Sequence, residues 1–228
     1  MGTAIPEGLI SINGDSVQVL EILFLTTMIT LLPSLLVMMT SFTRYVISFS
    51  FLRTALGTQQ TPPNTVLVGL ALFLTLFTMG PTFDRIRTEA WEPYTEELIT
   101  QTEFLETAAV PLKEFMLANT QQSTLRMFCD LAKVEVPDTS IDMDTGLELP
   151  LRIIVPSFMT CELKRAFEIG FLLCIPFMLI DIVVSSTLMS MGMIMLPPSM
   201  ISMPFKLLLF VTLNGWEMLF TSLVRGVY

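Results

Sequence analysis

The sequence predicts an all-α fold in which two helical hairpins of long hydrophobic helices flank an amphipathic helical middle region. Three observations predict it. Of 228 residues, 52% are apolar and only 14% are charged, well under the roughly 25% charged share of a soluble domain, and mean hydropathy is +0.69. Charge-free runs cover 22 residues at positions 22–43 and 30 at positions 54–83, while about 20 apolar residues cross a hydrocarbon core as a helix. The charges are also segregated, 23 of the 33 lying between Asp84 and Arg165. The chain is therefore apolar, polar and apolar in that order.

The N-terminal segment, residues 1–20, has no basic start and no apolar run, so no secretory signal is written there. The first hydrophobic hairpin spans residues 21–83. Its first run continues past Arg44 through Tyr45–Leu52, which predicts helix on both sides of that arginine. Gly57 to Asn64 (GTQQTPPN) is a polar turn carrying Gly57, Pro62 and Pro63, with Thr61 or Asn64 placed to cap the next helix. Residues 84–161 form the polar helical middle region. There Leu98, Leu105, Leu112 and Phe115 recur at helical spacing and predict an amphipathic helix over Tyr94–Ala118. Asp138–Leu149 is acidic and turn-rich but lacks the alternation and closing glutamate of an EF-hand loop, so it reads as a solvated connector. The second hairpin spans residues 162–228. Ile169–Met189 is interrupted only by Asp181, and Met200–Val224 by Lys206 and Glu217, with a turn at Pro197 and Pro198 and Ser199 as a candidate cap. Pro33, Pro81 and Pro176 fall in or near apolar runs, where a missing donor predicts a kink or a helix end.

Several chemistries drop out. The chain has no histidine, which removes Ser-His and Cys-His catalysis and the imidazole ligands of most zinc, copper and non-haem iron sites. Asp181 has no second aspartate in an apolar segment, so no intramembrane carboxylate dyad exists and no enzyme is expected. The net charge of −9 and the lack of any Lys/Arg run leave no footprint for nucleic acid. Cys129, Cys161 and Cys174 are odd in number and without CxxC spacing, so they read as small buried hydrophobes. No cofactor or metal is implied.

Two features need a role. Charges inside apolar helices are expensive in lipid, so Glu162, Asp181 and Lys206 predict structural charge pairs; a proton relay through the carboxylates is the functional alternative. Met189, Met191, Met193, Met195, Met200 and Met203 place six of 17 methionines within 15 residues. A loop of flexible thioethers, repeated around an axis, would form a ring that closes against ions and deforms around a passing chain. Soft-metal binding is weakened because no Cys or His assists. Arg44 and Arg53 flank the first turn and place it on the cytoplasmic side. An outside amino terminus follows, and with it the expectation of a cleaved signal peptide on the native precursor.

Met38–Arg44 (MMTSFTR), Ser50–Arg53, Ala55–Asn64 (ALGTQQTPPN) and Gly69–Thr75 resemble the FliP family of type III export-gate proteins. So do Pro156–Phe158, Glu162–Lys164, Ala166-Phe167, Ile169–Phe171, Pro176-Phe177, Asp181, Met193–Pro198, Pro204–Lys206 and Gly215-Trp216, in the same order. The Thr61-Pro62-Pro63 form and Pro111–Met116 look more like the flagellar branch than its virulence-injectisome relatives. The resemblance implies a core subunit of the flagellar protein export gate, a conduit for unfolded export substrates. It implies five copies of the chain in a helical homo-oligomer with FliQ and FliR, associated with FlhB and FlhA. It also implies a place in the flagellar basal body at the bacterial inner membrane, with hydrophobic helices packed on one another above the bilayer plane. The family's methionine-rich pore gasket maps to Met193, Ile194 and Met195, where Ile194 departs from the usual triple methionine. Arg44, Asp181 and Lys206 would then sit at subunit interfaces, and Glu162 is the expected partner of Lys206 because family matches cover both. An injectisome subunit and a proton-coupled small-solute transporter remain the alternatives; the transporter predicts internal repeats, and the two hairpins share only their Pro-Pro turns.

Overall fold

The computed structural model describes residues 10–12, 15–17, 19–58, 60–135, 146–193 and 195–227. The aspartates at 138, 142 and 144 of the expected connector lie outside the described residues, as does Ile194. Two units separate, residues 1–38 and 39–228. In the first, β1 (Ile10–Ile12) and β2 (Asp15–Val17) pair antiparallel with Ser11 opposite Ser16, and α1 (Val19–Met39) follows with Pro33 inside it. Apart from these two short strands, the regular structure of the described residues is helical.

The second unit is organised by one long helix. Its elements are α2 (Phe42–Leu56), α3 (Asn64–Thr78), α4 (Gly80–Ile86), a π-helical turn (Arg87–Trp91), α5 (Glu92–Thr95), α6 (Gln101–Ala118), α7 (Gln122–Ala132), α8 (Leu151–Ser190), α9 (Pro198–Thr212) and α10 (Gly215–Arg225). With 40 residues, α8 is about 60 Å long at 1.5 Å per residue. Each half of it carries its own core. The N-terminal half packs Ile153, Ile154 and Phe158 against Met116 and Leu117 of α6 and Leu125 and Cys129 of α7. The C-terminal half places Phe177 in a second cluster with Tyr45, Phe49 and Leu52 of α2, Leu67 and Ala71 of α3, Phe210 of α9 and Leu219 and Leu223 of α10. Edge-to-face ring contacts, Phe49 on Phe220 and Phe210 on Trp216, fix α10 against α2 and α9.

Pro81 meets the sequence expectation, lying at the helix break between α3 and α4, while the caps do not. Pro176, and Pro156 with it, lie inside α8 without ending it, whereas Pro81 opens α4 in its first turn, where the missing donor is free of cost. The helical path bends by 62° between α3 and α4 and by 65° between α9 and α10. Neither Thr61, Asn64 nor Ser199 caps a helix: the N-cap positions are Pro63 and Pro197, and Asn64 instead accepts from Arg53 through Oδ1. Tyr94–Ala118 is not one helix either. Glu97 at φ 58° breaks it, and a reciprocal capping box between Thr100 and Glu103 starts α6 afresh. The Thr100 amide and hydroxyl that bind the Glu103 carboxylate hold its pKa below the usual range. Leu112 and Phe115 then face the α8 core, while Leu98 lies in the break and is exposed.

Close packing of α2 on α8 rests on a glycine. A Cβ at Gly170 would fall 2.4 to 3.0 Å from atoms of the Phe51 side chain, and Phe51 also meets the Phe167 ring edge-on at 5.3 Å. Gly170→Ala is therefore expected to destabilise the chain by about 1–3 kcal/mol through overpacking, measured by unfolding in mild detergent. Adding Phe51→Leu should recover much of that loss, since it removes the ring that the new methyl meets.

Candidate functional site

The turn between α8 and α9 begins as a Schellman cap. Gly192 takes φ +71°, its N–H donates to the Met189 carbonyl at 3.0 Å, and the Met193 N–H donates to the Leu188 carbonyl at 3.0 Å. This is the 6→1, 5→2 pattern that stops a helix at a left-handed glycine. Pro197 and Pro198 close the turn by starting α9. Met189, Met191, Met195 and Met200 are exposed, Met195 to 98% and Met193 to 43%, so these thioethers are not core filling within the chain. Gly57 ends α2 in the same left-handed conformation, and Pro62 and Pro63 carry the chain into α3.

Beneath that turn lies a buried polar cluster. Lys206, only 5% exposed, donates from Nζ to Asp181 Oδ2 at 2.6 Å and to the Ala55 carbonyl at 3.1 Å. Ser202, one helical turn before Lys206, donates from Oγ to Asp181 Oδ1 at 2.6 Å. Both carboxylate oxygens are thus satisfied from α9. The ammonium also meets one of the orphan carbonyls at the end of α2, where a cation is favoured by the helix dipole. One lysine ties α2, α8 and α9 together.

A second ionic clamp lies on the other half of α8. Arg44 and Glu162 are both fully buried. Arg44 donates from Nε to Glu162 Oε2 at 2.8 Å and from Nη2 to Glu162 Oε1, while Nη1 donates to the Gly226 carbonyl at 2.7 Å. Arg165 approaches the same carboxylate at 3.8 Å. The planar guanidinium satisfies two oxygens of α8 and one backbone carbonyl past α10, the geometry that lets a buried pair offset its desolvation.

These partners correct the expected pairing. Lys206 is held by Asp181, and Glu162 is taken by Arg44, so Glu162 is not the partner of Lys206. The expected pairing rested on where the family matches fall, not on depth along the helices. Met191–Pro197 belongs to the loop; counted from the helix ends, Asp181 is nine residues before Ser190 and Lys206 eight after Pro198, an almost equal setback. Arg44, Asp181 and Lys206, expected at subunit interfaces, find their partners inside one chain. Ser202, the Ala55 carbonyl and the Gly226 carbonyl were not singled out from sequence. Ser202 had a signal, its i, i+4 spacing from Lys206; the two carbonyls had none. Of the cysteines, Cys129 and Cys161 are buried and Cys174 is half-buried, and the Cys161 sulfur accepts the Gln121 N–H at 3.3 Å.

A family model described as "FliP family" matches residues 25–223. Flagellar biosynthetic protein FliP of Aquifex aeolicus (strain VF5) is 50% identical over 214 residues, covering 94% of this chain and 88% of that protein. The protein of that name from Bacillus subtilis (strain 168) is 49% identical over 206 residues, 90% of each chain. For that from Buchnera aphidicola subsp. Acyrthosiphon pisum (strain APS), identity is 50% over 211 residues, 92% of this chain but 54% of the relative, so this chain spans about half of that protein.

The two ends of the Asp181–Lys206 bond differ in exposure, 42% for the aspartate side chain against 7% for the lysine, which makes their removal unequal. Asp181→Ala strands a buried ammonium and should cost about 3–5 kcal/mol. Lys206→Met leaves a carboxylate that water reaches and should cost about 1–3 kcal/mol. Detergent unfolding of the two variants reads the difference; equal losses would mean that Lys206 reaches solvent when Asp181 is removed.

Proposed function

The chain belongs to the FliP family, and on that premise we propose that it is a subunit of the flagellar protein export gate, lining the conduit for unfolded export substrates. Membership of a structural export-apparatus family also means that the chain is not an enzyme. The observation that carries the proposal is the methionine turn. Its backbone is fixed by the Gly192 cap at one end and by Pro197-Pro198 at the other, while Met193 and Met195 lack a packing role inside the chain. Copies arranged about an axis would bring these unbranched side chains together as an apolar constriction. Their rotamers change cheaply, so the constriction could seal against ions and still yield to an extended polypeptide. Ile194 between them supports the apolar seal on residue type alone.

Assembly with further copies, and with FliQ, FliR, FlhB and FlhA, is supported by surface that water cannot cover well. Phe73 and Phe77 of α3 are 72% and 70% exposed, and Phe171, Leu172, Leu179 and Val183 of α8 are all near 60% or above. Patches of this extent mark protein or lipid contact. Among the described residues one helix, Leu151–Ser190, is long and apolar enough to cross a membrane, and up to four spans result if each bent pair counts as one. A membrane setting at the flagellar base, with neighbouring subunits covering part of these faces, accommodates both observations. Asp181 is bonded to Lys206 and Ser202 and Glu162 to Arg44, so no proton relay is needed to explain either carboxylate.

Met193→Ala with Met195→Ala should leave secondary structure and complex yield unchanged, because the turn is exposed. The assembled complex carrying both should conduct small ions in a planar bilayer where the unaltered complex stays closed. Unchanged conductance in a correctly assembled complex would return these methionines to ordinary surface residues and remove the seal from the proposal.

A further inference from the structure

Between α8, α9 and α10 the chain leaves an apolar slot of about 240 Å³, lined among others by Leu173, Phe177, Phe210, Gly215, Met218 and Ser222. An engineered apolar cavity of about 150 Å³ stays dry and binds benzene, so this slot has room for a hydrocarbon segment. The backbone builds it deliberately: Asn214 at φ 49° turns α9 into α10, and a Cβ at Gly215 would fall 2.2 Å from the Phe210 ring. Only glycine lets the two helices meet with this ring as the slot wall.

The slot does not end in apolar surface. Leu213, Met218 and Ser222 also line a polar recess that continues from it, bounded by Asn214, Glu217, Thr221 and Arg225. Arg225 is exposed and, among the described residues, its guanidinium has no hydrogen-bond or ion-pair partner. Its place is fixed nonetheless, because the next carbonyl, that of Gly226, is held by Arg44. Glu217 stands two helical turns earlier on the same helix, also exposed and also without a carboxylate partner among the described residues.

The geometry points to a zwitterionic phospholipid as the occupant, one acyl chain in the slot, its phosphate on Arg225 and its ammonium toward Glu217. An apolar slot alone would suit a side chain from a second copy equally well. The continuous change from hydrocarbon lining to a rim with one base and one acid matches an amphiphile whose headgroup carries one phosphate and one amine, and Glu217 disfavours a purely anionic headgroup. The lipid would cover apolar surface of α8 and α10 that the fold leaves open. This inference is independent of the pore reading, since none of its residues lies in the methionine turn.

The test uses the full chain reconstituted in bilayers of mixed phosphatidylethanolamine and phosphatidylglycerol, extracted into mild detergent and weighed by native mass spectrometry. Phosphatidylethanolamine should be retained above its share of the bilayer. Arg225→Ala should lower retention about tenfold or more, the loss of one charge-assisted hydrogen bond, Arg225→Lys should keep most of it, and Ser222→Phe should abolish it by filling the slot. Retention at the bilayer ratio that neither Arg225→Ala nor Ser222→Phe changes would overturn the site. So would a Met218→Cys variant that cross-links to a second copy while no lipid is retained.

Discussion

Ionised groups buried among apolar helices have to find their partners at fixed depth, and this requirement governs how the second unit is put together. Arg44 on α2 and Glu162 on α8 form a fully buried pair, and the spare Nη1 of the arginine reaches the Gly226 carbonyl. Shifting α2 along α8 by one helical turn would move these groups about 5.4 Å apart and leave two charges in a dry interior. Hydrophobic contact alone is tolerant of such slips, because one leucine replaces another. The ion pair is not, and it sets the register in which Gly170 of α8 receives Phe51 of α2. Asp181, Ser202 and Lys206 repeat the device nearer the methionine turn, fixing α9 to both α8 and the end of α2.

That arrangement links local sequence to the exposed turn. Because Lys206 and Ser202 hold the first half of α9, the stretch from Ser190 to Pro198 is pinned at both ends, with a glycine cap on one side and a proline start on the other. The Gly192 cap and the proline start thus hold the two ends of the stretch that carries Met193 and Met195, while the unbranched thioethers keep their own rotamer freedom. The polar middle region contributes rigidity of a cheaper kind: Arg85 bridges Glu89 and Glu114, joining α4 to α6, but exposed pairs of this sort contribute little each.

Much of this is legible in the amino-acid sequence. Charge-free runs, Gly57 and the two Pro-Pro pairs marked where hydrophobic helices begin and end, and charges within apolar runs marked groups needing partners. Pairing was not legible, because it depends on where loops start. The turn at Pro197 and Pro198 marked only the start of α9, while α8 ends at Ser190 with seven residues between the two helices, so the nearly equal setbacks of Asp181 and Lys206 carried no signal. The capping box at Thr100 and Glu103 was written in the sequence but outweighed by the heptad-like spacing of Leu98 and Leu105, which are exposed. Pro156 does not end the helix it occupies, which packs through Ile153, Ile154 and Phe158 on either side of it. Backbone carbonyls such as those of Ala55 and Gly226 carry no sequence signature at all.

A double-mutant cycle on Arg44→Leu and Glu162→Leu tests most directly whether the buried pair governs the fold. Unfolding of the full chain in mild detergent should show each single substitution destabilising by about 3–5 kcal/mol, because each leaves a buried charge without the partner that hydrogen-bonds it. The double variant should lose clearly less than the sum of the two, with a coupling energy of about 1–3 kcal/mol. Additive losses, or single substitutions that cost less than about 1 kcal/mol, would show that the two groups do not depend on each other and that apolar packing alone sets the register of α2 on α8.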